Sequence, residues 1–319
     1  MSMYYALTLK YDVAICSSGP LTIGLPGIVS KKLRKKKLVF EVRDLWPQGS
    51  VELGKIKNAS LIKFAYWFEK ICYQNSDLVI PCSIDMEKSI INRFPNSNTC
   101  VIPNASDSSF YVTPHEAPKR YPEFVKDKHI VLYAGSLGLM DDCMQIIEAA
   151  KIISEEPVAI VFAGDGAEKS ILEKAVKESK LENVFFTGLL PKTDIIKWFF
   201  LSKASLVTFK NLPILSSNSP NKMFDSFAAG VPIIQTTKGW IKTLVDEEKC
   251  GINVEPHQPE ELAKAILKMV YNQRERDQMA DNALRLAKTV FNRDELSEKY
   301  MVAIEEIYNP LRQTTLSLA

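Results

Sequence analysis

Short, continuous runs of β-branched and aromatic residues alternate with longer amphipathic stretches along most of this chain. That alternation restricts the fold more than any other feature. A run that is apolar at every position must be covered on both faces, and parallel strands sandwiched between helices meet that demand. Strands read at Val13–Cys16, Leu38–Val42, Leu78–Pro81 and Thr99–Ile102. They resume at Ile130–Ala134, Val158–Ala163, Val184–Thr187, Ser205–Phe209, Pro232–Gln235 and Ile252–Val254. Helical patterns fall between and after them, at Cys143–Ser154, Glu168–Ser179, Glu260–Tyr271, Arg274–Thr289 and Arg293–Tyr308. The expected class is α/β, in doubly wound units.

The 319 residues suffice for two such units. The stretch from about Ser106 to Lys128 carries Pro114, Pro118 and Pro122 among many charges and reads as a linker. The expected division is an N-terminal unit over 1–110, a linker over 111–128 and a second unit over 129–292. A last helix and tail occupy 293–319. The second unit has six strands; the first offers about four. A full doubly wound unit needs roughly two or three more strand–helix pairs of about 30 residues each. The first unit is therefore expected to be incomplete.

Bulk properties exclude little but are consistent. The formal net charge is +2, which singles out no partner and gives no footprint for nucleic acid. Cys16, Cys72, Cys82, Cys100, Cys143 and Cys250 include no C-x-x-C pair and read as reduced core thiols of a cytoplasmic protein. His115, His129 and His257 are scattered, so no metal site is expected. No apolar stretch is long enough to span a bilayer, and Met1 to Lys10 lack a signal-peptide pattern. The basic run Lys31, Lys32, Arg34, Lys35, Lys36 and Lys37 reads as a solvated helix end. The sharper alternative is a patch that meets anionic lipid. Leu61–Tyr73, apolar nearly all round, reads as a helix buried between the sheet and a neighbour, with a membrane-facing role as its alternative.

Three segments carry the candidate chemistry. Ile130–Gly138 runs a strand into a glycine turn, where Gly135, Ser136 and Gly138 would let backbone amides face a ligand. Val161–Gly166 repeats the pattern at the next strand end, with Gly164 and Gly166 flanking Asp165. Two such turns point to a nucleotide crevice at the strand ends. Ser217–Ile234 is the richest. A polar loop that includes Ser219 precedes a helix with Pro220 in its first turn. Lys222 is placed to reach a diphosphate, and Asp225 to accept hydrogen bonds from ribose hydroxyls.

Ser219-Pro-Asn-Lys222 through Ala228-Ala-Gly230, Arg43-Asp-Leu-Trp-Pro47, Glu52-Leu-Gly54, Val101-Ile-Pro-Asn104, Tyr133-Ala-Gly-Ser-Leu-Gly138, Ala163-Gly-Asp-Gly166 and Phe186-Thr-Gly188 with Pro191 together resemble glycosyltransferase family four. Within it they are similar to the bacterial enzymes that build surface polysaccharide (capsule or O-antigen) on polyprenyl carriers. The resemblance runs from about Tyr11 to Tyr308. It implies two Rossmann-like domains in the GT-B arrangement, with the last helix packing back toward the first. It implies a nucleotide-diphosphate sugar as donor, no cofactor, no metal, and a polyprenyl-linked saccharide as acceptor. The implied reaction is sugar transfer with retention at the inner face of the membrane. In that reaction Lys222 and helix N-termini would stabilise the leaving diphosphate.

The chain departs from the family pattern at named places. Many relatives place two Glu residues with seven between them; Ser217 and Asp225 stand there. Arg43 and Asp44 fall about where many relatives carry a histidine near the reacting sugar, which makes them the candidate catalytic residues; the other reading of Arg43 is an ion pair with Asp44 or Glu41. Gln48 replaces a usual Glu. Asp141 and Asp142 follow Gly138 where many relatives carry a phosphate-binding lysine, and they would repel a diphosphate unless turned away. The resemblance implies that the family's N-terminal portion is missing; either the gene is truncated or a separate polypeptide, as a partner, supplies that part. Two other readings remain: a catalytically inactive remnant or subunit, and a sugar-nucleotide epimerase, which needs an acid–base pair that the sequence does not supply.

Overall fold

The structure, a computed structural model, describes residues 1–111, 122 and 125–309. In chain order the first elements are α1 (Ser2–Thr8), β1 (Val13–Ser17), α2 (Gly24–Arg34), β2 (Lys37–Val42), α3 (Gln48–Glu52), α4 (Ala59–Asn75), β3 (Leu78–Pro81) and α5 (Ile84–Arg93). Next come β4 (His129–Ala134), α6 (Cys143–Ile152), β5 (Val158–Ala163), α7 (Lys169–Glu178), β6 (Val184–Gly188), α8 (Lys192–Leu201) and β7 (Ser202–Val207). The chain ends on α9 (Asn221–Ala228), β8 (Ile233–Gln235), α10 (Trp240–Glu248), β9 (Gly251–Asn253), α11 (Pro259–Tyr271), α12 (Gln273–Lys288) and α13 (Arg293–Tyr308). The class is α/β, and every strand pairing is parallel.

Two compact units share the chain. One comprises Met1–Asn104, Leu212–Ser219 and Asp294–Ala319; the other comprises Ala105–Asn211 and Pro220–Arg293. The division expected at 110 thus moves. Ala105–Tyr111 and Val125 cluster with the second unit, where Tyr111 and Val125 are buried. Most of the linker expected over 111–128, with Pro114, Pro118 and His115, lies outside the described residues.

The first unit holds a three-stranded sheet in the order β1-β2-β3. Thr99–Ile102 is not a full strand. It makes one parallel bridge, Thr99 to Val79, and the Cys100 and Ile102 amides donate to Val79 and Pro81. One sheet face carries Phe40, whose ring meets Tyr73 of α4 at 5.8 Å. On the other, Val39, Leu78, Ile80 and Ile102 pack with Ala303, Tyr300 and Ile304 of α13. The basic run is mostly spoken for. Lys31 and Lys37 pair with Asp77 at 2.9 and 3.5 Å, Lys36 approaches Asp12, and Arg34 donates to the Ala6 carbonyl. Lys32 and Lys35, in and just after the last turn of α2, stay exposed, so the run is a helix end that is partly paired and partly in solvent. Helix α4 corrects another expectation. It buries Glu69, Cys72 and Tyr73 but leaves Leu61, Phe64 and Trp67 at least half exposed.

The second unit holds a six-stranded sheet in the order β6-β5-β4-β7-β8-β9. Counted along this unit, that is 3-2-1-4-5-6, the order of dinucleotide-binding sheets. β5 is buried at all six positions, as its unbroken apolar run requires. Helices α6 and α11 share one core with β4, β5 and β7, including Ile146, Ile147, Leu262 and Ile266. Burial raises the thiols of Cys143 and Cys250 to about 12, so they behave as small apolar side chains.

Candidate functional site

The strand order of the second unit reverses between β4 and β7. There the connections leave in opposite directions, and open α/β sheets bind their ligands beyond the carboxyl ends of the strands at such a point. The glycine turns after β4 and β5 meet at this point, and they meet backbone to backbone. Gly135 N donates to Ala163 O at 3.0 Å, Leu137 N to Asp165 O at 2.9 Å, and Glu168 N to Leu137 O at 2.9 Å. A Cβ on Gly164 would stand 1.8 Å from Gly135 O, and one on Gly166 would stand 2.4 Å from Leu137 O. These two glycines are required by the packing of turn on turn. The amides of Gly135, Leu137 and Gly138 are spent within the protein, so of the amides expected to face a ligand only that of Ser136 is not engaged among the described residues. Asp165 is exposed: its Oδ1 accepts from Gly166 N at 2.8 Å and its Oδ2 lies 3.8 Å from Lys169.

Helix α9 delivers the side chain that enters this region. Pro220 is its N-cap residue, not part of its first turn, and Lys222 follows at the second helical position. The Lys222 stem runs past Gly135, where a Cβ would lie 2.9 Å from its Cε. Glycine at 135 therefore makes room for the lysine. Lys222 is buried, and Nζ donates to Tyr133 OH at 2.6 Å and Asp141 Oδ1 at 2.7 Å. It also sits over the Tyr133 ring, 4.1 Å from the centroid. Tyr133 donates its own O–H to the Ser136 carbonyl at 2.6 Å, so Ser136 contributes here through its backbone. Burial holds the Tyr133 phenol well above its ordinary range, which keeps it a donor to Ser136.

The two acids after Gly138 separate. Asp141 is the counter-ion of Lys222, and its other oxygen accepts from Gly138 N at 3.2 Å. Asp142 instead pairs with His257 Nδ1 at 2.8 Å and accepts from Gln145. Local sequence gave no sign of this division, because the Lys222 partner lies 81 residues away.

Asp225 lies almost one helical turn beyond Lys222. Ser106 Oγ donates to its Oδ1 at 2.5 Å, Tyr111 OH at 3.1 Å, and Lys192 Nζ stands 3.9 Å from the same oxygen. Among the described residues all three converge on Oδ1, so Oδ2 is the acceptor still open to a ligand hydroxyl. Ser106, Tyr111 and Lys192 escaped the sequence reading; two of them fall in or beside the stretch read as a linker.

The remaining candidates belong to the first unit. Arg43 follows β2, with its amide held by Ser18 Oγ at 2.9 Å and its guanidinium 4.0 Å from Glu41. Asp44 keeps an exposed face, yet desolvation pushes its carboxyl above the ordinary range while Arg43 acts the other way. Glu52 is structural: it accepts from Gln48 at 2.8 Å and from the Ile214 amide at 2.9 Å. Ser219 receives Asn104 Nδ2 on its carbonyl, and its own Oγ is enclosed without a hydrogen-bond partner among the described residues. No group of three or more His, Cys, Asp or Glu side chains is placed to hold a metal ion among the described residues.

The family model described as "Glycosyl transferases group 1" matches residues 116–285, more than half of the chain. A probable glycosyltransferase of Pseudomonas aeruginosa, WbjE, is 25% identical over 263 residues, covering 80% of this chain and 65% of that protein. A putative colanic acid biosynthesis glycosyl transferase of Escherichia coli, WcaI, is 27% identical over 179 residues, 53% of this chain and 44% of that one. This chain therefore spans less than two thirds of either relative's length. Among solved structures, Anabaena Alr3699/HepE, crystallised with UDP and glucose, superposes with a TM-score of 0.73 at 17% identity, covering 93% of this chain and 78% of that one. Sucrose-phosphate synthase of Thermosynechococcus elongatus gives 0.71 at 18%, covering 96% and 76%. At such identities these likenesses establish the fold, which is that of the GT-B glycosyltransferases.

Proposed function

The chain belongs to the glycosyl transferases group 1 family, and from that premise we propose that its second unit binds a nucleotide-diphosphate sugar and serves sugar transfer in surface polysaccharide synthesis. The observation that carries this reading is the placement of Lys222 and Asp225 on one helix at the reversal of the strand order. Lys222 and the N-terminal turn of α9 supply positive charge where a diphosphate leaves. Asp225 Oδ2 accepts from ribose. The lysine fills the role for which other transferases use a divalent cation, so the proposed site is metal-independent.

The proposed reaction retains configuration. The acceptor hydroxyl then approaches the sugar on the face that the diphosphate departs from, and holding the two in place supplies much of the rate. Arg43 and Asp44 are proposed to face the reacting groups, and the acceptor is proposed to be a lipid-linked saccharide.

Calorimetric titration with UDP, GDP and their sugar conjugates, in chelator and in added magnesium, tests the reading. Binding to one base series, equal in both conditions and lost in Lys222→Met, supports it. Absence of binding to all of them removes the donor site, and binding only with magnesium removes the role given to Lys222.

A further inference from the structure

The second half of α4 and the loop after α5 flank an open cavity of about 510 Å³ in the first unit, which none of the candidate site residues lines. Lys70 and Gln74 line it from the helix, and Arg93 and Asn96 from the other side. Its charges are cationic. Its one nearby acid, Glu69, is fully buried and bonded to Arg93 Nη1 at 2.6 Å. Arg93 uses Nε on the Ser89 carbonyl, while Nη2 is buried and has no hydrogen-bond partner among the described residues.

The same helix carries a second feature. Leu61, Phe64, Trp67 and Lys70 follow at three-residue spacing, which sets them in one row along the surface. Leu61 is 50% exposed, Phe64 56% and Trp67 55%, with the Phe64 and Trp67 rings 5.5 Å apart. Adjacent large apolar side chains left in water mark a contact surface, whereas scattered ones do not. Lysines surround the row. From Gly54 to Asn75 there are four lysines, Lys55, Lys57, Lys63 and Lys70, and the single acid is Glu69. All four are exposed, and none pairs with a carboxylate among the described residues.

We propose that this face of α4 docks on a membrane surface rich in anionic phospholipid. Leu61, Phe64 and Trp67 enter the headgroup–acyl boundary, and a lipid phosphate is held between Lys70 and Arg93. Three things favour a lipid surface over a protein partner. Aromatic side chains ringed by lysine are the composition of interfacial helices. The cationic cavity continues the apolar row, so one amphiphile satisfies both. The face also lacks the free acids that a protein partner's mixed charges would pair with. The basic run at Lys31–Lys37, by contrast, is largely committed to Asp77, Asp12 and backbone within the unit. The proposal stands whether or not the chain transfers sugar.

Flotation of the full chain with phosphatidylcholine vesicles, alone or mixed with phosphatidylglycerol, tests it. Binding is expected only to the mixed vesicles and is expected to weaken with salt. Lys63→Gln and Lys70→Gln should each lower the partition coefficient roughly five-fold. Phe64→Ser/Trp67→Ser should lower it by on the order of ten-fold or more while the circular dichroism and melting curve stay unchanged. Equal flotation with both vesicle types, or a double variant that floats like the parent, overturns the proposal. So does a Phe64- and Trp67-dependent dimer in sedimentation velocity without flotation, which would assign the face to a second copy. Titration with inorganic phosphate separates the last alternative. Saturable binding lost in Lys70→Gln, with no flotation, would mean a site for a small free anion.

Discussion

Lys222 and Asp141 form a buried ion pair, 2.7 Å from Nζ to Oδ1, beyond the carboxyl end of β4. The cation proposed for the diphosphate is therefore neutralised before any ligand arrives. Binding must trade one anion for another, which lowers affinity and eases release of the spent nucleotide. Asp141→Asn keeps the hydrogen-bonding shape but removes the competing charge. It should tighten nucleoside diphosphate binding by on the order of ten-fold, read by calorimetry. It should also cost up to about 3 kcal/mol of stability, because a buried lysine loses its counter-charge. Unchanged or weaker nucleotide affinity would show that Asp141 positions Lys222 and does not compete with the ligand.

Asp225 is tied on one oxygen by Ser106 and Tyr111. Burial, and the carboxylate itself, hold the Tyr111 phenol well above its ordinary range, so it remains a donor at any working pH. With Oδ1 anchored, Oδ2 is the acceptor proposed for the ribose. Asp225→Ala should weaken ribonucleotide binding by about ten- to hundred-fold, the worth of one or two hydrogen bonds to a charged group. It should leave the affinity for the matching dideoxynucleotide unchanged. Equal losses for both ligands would mean that Asp225 supports the fold and does not touch ribose.

The strands were legible wherever burial is two-sided. Val158–Ala163 is bounded as read, because every position is inside and the chain turns at Pro157 before it and Gly164 after it. The reading slipped at β7, expected at Ser205–Phe209 and found at Ser202–Val207. Thr208 and Phe209 are also buried, but Phe209 N leaves the ladder for Thr236 Oγ, and sequence cannot show where a ladder stops. Lys222 and Asp225 stood out because spacing on a helix is local information. Their partners did not, since Asp141 is 81 and Ser106 is 119 residues away. The same limit hid the exposed side of α4. An apolar helix reads as buried, and periodicity says nothing about which neighbours are present.

Gly164 and Gly166 are expected to matter through packing before chemistry. An alanine Cβ at 164 meets the Gly135 carbonyl at 1.8 Å, and backbone cannot swing aside as a flexible side chain would. Gly164→Ala should lower stability by about 3 kcal/mol or more, the upper range for overpacking, seen as a drop in melting temperature. The two turns would have to part, so nucleotide affinity should fall with it. A stable variant with normal affinity would show that the turn-on-turn contact is loose in solution.

Asp77 predicts a pH dependence confined to the first unit. Burial pushes its carboxyl up. The Lys31 hydrogen bond, the Leu38 amide and the charges of Lys31 and Lys37 outweigh burial, and the net shift is downward from the ordinary 3.8. The folded state therefore holds this proton less readily than the unfolded chain does. The stabilisation is fully present above 3.8 and is lost as pH falls through the lower folded value. Because the site is partly solvated, the contribution is about 1 kcal/mol or less. Asp77→Asn keeps an acceptor for Leu38 N but removes the charge. Chemical denaturation of the two proteins should show a constant gap at mildly acidic and neutral pH. The gap should close only in stronger acid, with Asp77→Asn the less stable wherever the two differ. A gap that opens toward acid would reverse the sign, and would mean that the lysines gain more from losing Asp77 than the strand loses.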